Sequence, residues 1–319
     1  MLHADSLELL AKLPDSSIDA VVTDPPYGIG FAGKSWDGGN LLDGDGFQTW
    51  TTAWGREIAR VLRPGGYLAA FGAPRTMHRL VAGLEDADLE IRDQLLWMYG
   101  SGMPKGRRLP GDLGTTLKPA YEPVVLARAP SPQTVTRTID RWGTGALNIG
   151  TTRVRDELNP TTSTKDVLAR WPANLGLLHD LSCRTGKRCG GQCAVRQIDE
   201  RAGLEISRFF YAAKASRTER EAGLEGAQTT VEPIFSGGRR TARANLHPTV
   251  KPLSVMRWLV RLVTPPLGVV LDPFAGSGST GCAALLEDRQ FIGVERDGAY
   301  VDVARARLQH WAAQDEGPR

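Results

Sequence analysis

Two strings nearly 250 residues apart carry the chemistry of this chain: Asp24-Pro25-Pro26-Tyr27 near the start and Asp272-Pro273-Phe274-Ala275-Gly276-Ser277-Gly278-Ser279-Thr280 near the end. The first is suited to an exocyclic amine. The amino group of a nucleobase is a poor nucleophile, because its lone pair is delocalised into the ring. A carboxylate accepting one N–H and a backbone carbonyl accepting the other would favour tetrahedral nitrogen and expose that pair. Asp24 offers the carboxylate, and Pro25-Pro26 offers rigid carbonyls with no N–H to pair them in a ladder. Tyr27 offers a flat face for a base, a stack worth roughly 1–3 kcal/mol. That is comparable with the cost of drawing a base out of a duplex.

The second string is suited to a nucleoside. Gly276-Ser277-Gly278 gives a turn that a ligand can approach without interference from Cβ. The spacing Gly276-x-Gly278-x-x-Gly281 also matches a dinucleotide fingerprint. Here, however, Asp272-Pro273 separate the strand from the glycines, where a dinucleotide fold runs straight into the loop. The exposed N–H groups of this turn, ahead of the helix that Ser279 and Thr280 enter, are expected to face an amino-acid carboxylate. Glu295, 17 residues after Gly278, ends the next strand, where an acid can accept hydrogen bonds from ribose hydroxyls. That geometry serves NAD and S-adenosylmethionine alike. A sulfonium donor would let an activated amine take a methyl group directly. The chain has no Pro-Cys pair to supply a thiolate for methylation at cytosine C5.

Both strings need strands to hold them. Ile18-Asp19-Ala20-Val21-Val22 and Gly268-Val269-Val270-Leu271 are apolar, β-branched runs that read as buried parallel strands. Ligands collect at the carboxyl ends of such strands, so both strings are expected to face one crevice. Between them the first hundred residues alternate strand and helix signals. Residues 28–46, rich in glycine, read as a mobile loop carrying Phe31, Lys34 and Trp36. Phe47, Trp50, Trp54, Ile58, Val61 and Leu62 then fall at helical spacing, which makes Trp50 and Trp54 core residues. Strands near 67–72 and 91–98 and a helix between them complete a β-α-β-α-β order, hence a parallel sheet. Regular signals resume near His247. The fold class is α/β, a Rossmann-like sheet flanked by helices.

The charge divides unevenly. Residues 1–100 are net −6, residues 101–243 net +9 and residues 244–319 neutral, for a total of +3. Residues 101–243 are also rich in Pro, Gly, Arg and Thr, with Glu122-Pro123-Val124-Val125-Leu126 as an isolated strand-like piece. We expect a catalytic domain made of 1–100 and 244–319, with 101–243 inserted as an irregular basic region that binds a polyanion. Lys105, Arg107 and Arg108 could meet phosphates. No stretch is apolar for long enough to span a bilayer, and no secretory pattern opens the chain. Four cysteines in a chain of this size do not suggest a disulfide framework, and a cytoplasmic protein is expected. His179, Cys183, Cys189 and Cys193 have irregular spacing for zinc; no metal is assigned, and a structural zinc stays open.

These residues resemble the β class of amino-methylating DNA methyltransferases, in which an Asp-Pro-Pro-Tyr element precedes, and a Phe-Ala-Gly-Ser-Gly element follows, the target-recognition region. Asp5-Ser6-Leu7 is similar to the acidic element near the cofactor's adenine. His247-Pro248-Thr249-Val250-Lys251-Pro252 is similar to the segment before the cofactor strand, which implies that Thr249 and Lys251 border the methionine moiety. Gly143-Thr144-Gly145-Ala146-Leu147-Asn148 and Ser207-Arg208-Phe209-Phe210-Tyr211 resemble elements of phage and bacterial members. The resemblance implies S-adenosylmethionine as cofactor, held by Asp5, Thr249, Lys251, Asp272, Phe274, Gly276, Ser277, Gly278, Ser279, Thr280 and Glu295. It implies duplex DNA as partner, work at the nucleoid of a bacterium or a phage-infected host, and, from Asp24, methylation of adenine N6. Cytosine N4 is the alternative, followed by an RNA or protein-amide methyltransferase, a silent DNA-binding protein and an NAD oxidoreductase. A homodimer and a partner restriction endonuclease stay open.

Overall fold

The computed structural model describes residues 1–33, 35–99, 109–117, 119–152, 172–176, 215, 217–227, 229 and 244–314. Lys34, Lys105, Arg107, Arg108, His179, Cys183, Cys189, Cys193 and the segment 207–211 lie outside them. The strands are β1 (Leu2–His3), β2 (Ile18–Thr23), β3 (Leu62–Phe71), β4 (Glu90–Met98), β5 (Tyr121–Arg128), β6 (Leu175–Gly176), β7 (Val269–Asp272) and β8 (Gln290–Glu295). They form one sheet in the order β1-β8-β7-β2-β3-β5-β4-β6. The helices are α1 (Ser6–Leu10), α2 (Gly44–Val61), α3 (Met77–Glu85), α4 (Val135–Trp142), α5 (Ile149–Thr152), α6 (Arg217–Glu221), α7 (Leu253–Val263), α8 (Ser279–Leu285) and α9 (Gly298–Gln314).

Strand β2 is buried at all six positions because both faces of the sheet are covered. An irregularity after Ile18, and alternation beyond it, divide the strand between two cores. Ala20 and Val22 point toward Met256, Leu259 and Val260 of α7 and Cys282 of α8. Ile18 and Val21 point toward Trp54, Ile58, Leu80 and Leu84 of α2 and α3. Trp54 is fully buried, and truncating such a side chain typically costs about 3–5 kcal/mol. The result is a three-layer α/β/α arrangement, as the alternating signals predict.

One strand departs from expectation. β3 and β4 are not neighbours: β5 lies between them, antiparallel to both. The sheet is therefore mixed, and residues 121–128, expected within the irregular insertion, are an interior strand of it. The strand-like piece at 122–126 is visible in the sequence, but its Pro- and Gly-rich surroundings conceal that it belongs to the sheet, where it is buried from Pro123 to Ala127. The catalytic sheet thus extends past residue 100. An antiparallel strand in this position starts at the rim where its parallel neighbours end, which brings Glu122 to that rim.

The segment expected as a mobile loop is also organised. Short 3-10 turns at Phe31–Gly33, Ser35–Asp37 and Gly39–Leu42 precede α2. The fully buried carboxylate of Asp37 gathers the N–H groups of Gly28 (2.6 Å), Ile29 (3.3 Å) and Phe31 (2.7 Å). Gly28 is held at φ +64°, and a Cβ there would lie 2.7 Å from the Leu41 carbonyl oxygen. Farther from the rim, Asn148 donates its amide to the carbonyls of Arg261 (3.0 Å) and Thr264 (2.6 Å). That bond satisfies orphan acceptors at the end of α7 and ties the 143–148 segment to the frame. Among the described residues no helix is long and apolar enough to cross a membrane.

Candidate active site

Strands β2 and β7 pair in parallel, Val21 opposite Leu271, so both strings leave the sheet side by side. From β7 the chain moves outward to β8, and from β2 it moves the other way to β3. The gap between them is a topological switch point, where open α/β sheets place ligands. A cavity of about 430 Å³ opens there, within the usual range for small-molecule sites. Asp24, Pro25, Pro26 and Tyr27 line it, together with Asp5, Thr249, Lys251, Phe274, Gly276 and Glu295.

Asp272, Ser277, Gly278, Ser279 and Thr280 do not line the cavity. They brace it from behind. Asp272 is buried and accepts from the hydroxyls of Thr23 (2.7 Å) and Thr280 (2.5 Å) and from the Phe274 N–H (3.0 Å). Burial nevertheless pushes its carboxyl up to about 6. The buried Arg307 of α9 donates to the Ser277 carbonyl (2.6 Å) and to the hydroxyls of Ser277 (3.1 Å) and Ser279 (3.3 Å). These bonds fix the glycine turn to two elements at once.

At one end of the cavity, Glu295 accepts from the N–H groups of Gly276 and Asp297, both at 2.8 Å. The Gly276 N–H, expected to face a ligand carboxylate, is thus turned to Glu295 instead. Burial raises the Glu295 carboxyl above its ordinary value against the pull of those amides. Asp5 caps α1 through the N–H groups of Leu7 and Glu8. It reaches the site because β1 pairs with β8. Gly276 sits at φ +50°, and a Cβ would lie 2.6 Å from His247 Nε2. Trp50, expected wholly in the core, lines the cavity and packs on Phe274 with ring centroids 5.3 Å apart.

At the other end, Asp24 is bonded through both oxygens. The Tyr27 hydroxyl donates to Oδ1 at 2.7 Å and the Lys251 ammonium to Oδ2 at 2.5 Å. Glu122 is the residue the sequence reading missed. Its Oε2 accepts from the Tyr27 hydroxyl at 3.1 Å and lies 3.4 Å from Lys251 Nζ. Lys251, expected beside the methionine moiety, meets the amine-binding string. Burial alone would lower its ammonium, but Asp24 and Glu122 outweigh that and hold it above the ordinary value. Burial raises Asp24, with Lys251 opposing and Glu122 adding. Burial and the same two carboxylates push the Tyr27 phenol well up, so it stays a donor. Among the described residues no His, Cys, Asp and Glu group could hold a metal ion.

A doubly wound sheet with a nucleoside-sized cavity at its switch point, acidic at both ends, is a Rossmann-like frame for a nucleoside cofactor. A family model for N6 and N4 methylases, described as DNA methylase, matches residues 18–306, and the chain belongs to that family. The chain is 23% identical to the Type II methyltransferase M.HindIII of Haemophilus influenzae over 358 residues, covering 96% of this chain and 94% of that protein. It is 24% identical to the DNA adenine methyltransferase YhdJ of Escherichia coli over 322 residues, covering 99% and 85%. Among solved structures, the PvuII DNA methyltransferase (cytosine-N4-specific) superposes with a TM-score of 0.57 at 18% identity, covering 97% of this chain and 85% of that one. That likeness speaks for the fold.

The protein is a DNA methyltransferase, and S-adenosylmethionine is its methyl donor. The residues present fit that molecule. Trp50 and Phe274 offer aromatic surface in the cavity wall beside Gly276. A cationic sulfonium also suits a neighbourhood of two carboxylates and one ammonium.

Proposed function

We propose that the enzyme methylates the N6 amine of an adenine extruded from duplex DNA at a defined sequence. The observation that carries this reading is Asp24, a carboxylate at the cavity end of β2, in the same cavity as Gly276 and Glu295. Asp24 accepts one amine N–H, and a carbonyl of Pro25 or Pro26 accepts the other. Tyr27 supplies surface for the base. Asp5 and Glu295 hold the ribose and adenine side of the cofactor, Phe274 and Gly276 shape its bed, and Thr249 borders its methionine end. Bound there, S-adenosylmethionine supplies an electrophilic methyl group. Lys251 keeps Asp24 ionised, so that the carboxylate is an acceptor when the amine arrives.

Adenine is favoured over cytosine by the Asp at position 24, since in the resembled class Asp goes with N6 and Ser with N4. The adenine specificity in the name of the Escherichia coli relative agrees. The net charge of +9 over residues 101–243 supports a DNA-reading role for that region outside β5. Its substrate would place the enzyme in the cytoplasm at the nucleoid, as the modification half of a restriction pair or alone.

The test is incubation of duplex DNA with tritiated cofactor, followed by nucleoside analysis. Label in N6-methyladenine, lost in Asp24→Ala, is the expected result. Label confined to N4-methylcytosine overturns the base assignment, and Asp24→Ala with full activity overturns the amine-acceptor role.

A further inference from the structure

Tyr27 has a single hydroxyl proton and two carboxylates competing for it. Oδ1 of Asp24 lies 2.7 Å away and Oε2 of Glu122 3.1 Å away. The proton can be given to one at a time, and rotation about the phenol C–O bond exchanges them. Lys251 has the same choice, with Asp24 at 2.5 Å and Glu122 at 3.4 Å. In the arrangement seen, the shorter contacts go to Asp24, and each of its oxygens already accepts a strong donor. Each oxygen keeps a second lone pair, but an amine N–H arriving at Oδ1 shares that oxygen with the Tyr27 hydroxyl, and sharing weakens both bonds.

We propose that Glu122 is a positioning residue that frees Asp24 for the target amine by taking over the Tyr27 hydroxyl. This rests on the amine-acceptor role proposed for Asp24. When the base enters, the hydroxyl turns to Glu122 and the amine N–H takes its place on Oδ1. The exchange keeps the phenol hydrogen-bonded throughout, which matters because a donor left unpaired in a buried site is costly. Lys251 stays on Oδ2 and holds the carboxylate ionised. Its ammonium also lies 4.9 Å from the centre of the Phe71 ring, a second anchor that does not depend on Glu122.

The fold explains why this acceptor comes from so far away in sequence. Parallel strands deliver their last residues to the rim, and β5, running the other way, delivers one of its first. Glu122 pairs in register with Trp97 of β4, so its position is fixed by the ladder rather than by a loop. That rigidity suits a fixed acceptor to which a rotating hydroxyl can turn.

The experiment is a mutant cycle on Glu122 and Tyr27, read as the single-turnover rate of methyl transfer with cofactor and DNA saturating. Glu122→Ala should slow transfer about tenfold, the worth of one hydrogen bond to a charged group, because the hydroxyl then stays on Asp24. Adding Tyr27→Phe to Glu122→Ala removes that competing hydroxyl and should restore most of the lost rate. Glu122→Gln, nearly isosteric and still an acceptor, should lose less than Glu122→Ala; it also serves if the alanine variant does not fold. An unchanged rate in Glu122→Ala, or losses that simply accumulate in the double variant, overturns the proposal. Asp24→Ala run alongside separates the two ideas. If it keeps full activity the amine-acceptor reading itself has failed, whereas if it is dead while the cycle is additive only the role of Glu122 has.

Discussion

The ammonium of Lys251 lies 2.5 Å from Oδ2 of Asp24, joining residues 227 apart in the chain. Both side chains are largely withdrawn from water, at 6% and 16% exposure. Such a pair is held by its geometry as much as by attraction, since desolvation opposes it. Its use here is to set the charge state of the acceptor.

Replacing Lys251 by Met should therefore change the pH dependence of catalysis. Burial already raises Asp24, and Lys251 opposes that rise. Without the ammonium the carboxyl climbs further, and an ionised acceptor is lost at higher pH. We expect the acid limb of the kcat/KM profile to move upward by about one unit or more. A limb that stays where it was would argue that Asp24 need not be ionised.

Asp272→Asn should alter stability in a defined pH window. The Asp272 carboxyl sits at about 6 in the folded protein against an ordinary 3.8. The folded state therefore holds this proton more tightly than the unfolded one. Its contribution is fully present below the ordinary value and is lost as pH rises toward about 6, about 3 kcal/mol in all. Asparagine cannot titrate, so the melting temperature of the variant should fall less than that of the native protein across this window. Parallel curves would contradict the assignment.

Gly276→Ala should cost about 1–2 kcal/mol of stability from the positive φ, and a turn that shifts to relieve it should bind the cofactor more weakly. Its added methyl also meets His247 Nε2 at 2.6 Å. Calorimetric titration with S-adenosylmethionine reads the loss. Combining the change with His247→Ala should recover the steric share but not the conformational one.

Asp37→Ala removes the acceptor shared by three N–H groups. We expect about 3 kcal/mol of lost stability concentrated in the segment after Tyr27. Amide exchange should speed up at Gly28, Ile29 and Phe31 and change little in β3. A uniform rise across the sheet would place Asp37 in the global core instead.

Much of this site is legible in sequence because strand ends carry it. Asp24 and Gly276 each follow an apolar run, and the rule that ligands gather at carboxyl ends of strands brings them together. Glu122 escaped because that rule says nothing of an antiparallel strand, whose beginning shares the same rim. Asp37 escaped because a carboxylate in a glycine-rich stretch looks solvated until three backbone amides are seen to turn toward it. Trp50 fits a helical stripe, and periodicity cannot tell the face of a core from the wall of a cavity. The glycine turn was expected to offer its amides to a ligand. Instead Glu295 takes the Gly276 N–H, and Arg307 braces the serines around it.

The pairing of β2 with β7 has a consequence for synthesis. Val21 and Leu271 are partners, and β7 completes the sheet between β2 and β8. Such distant contacts carry a large loop-closure cost and form late. A nascent chain carries the amine-binding string at 24–27 long before residues 269–295 emerge, and until then it has no bed for a methyl donor. Stalled or prematurely released chains would then be inert toward the genome.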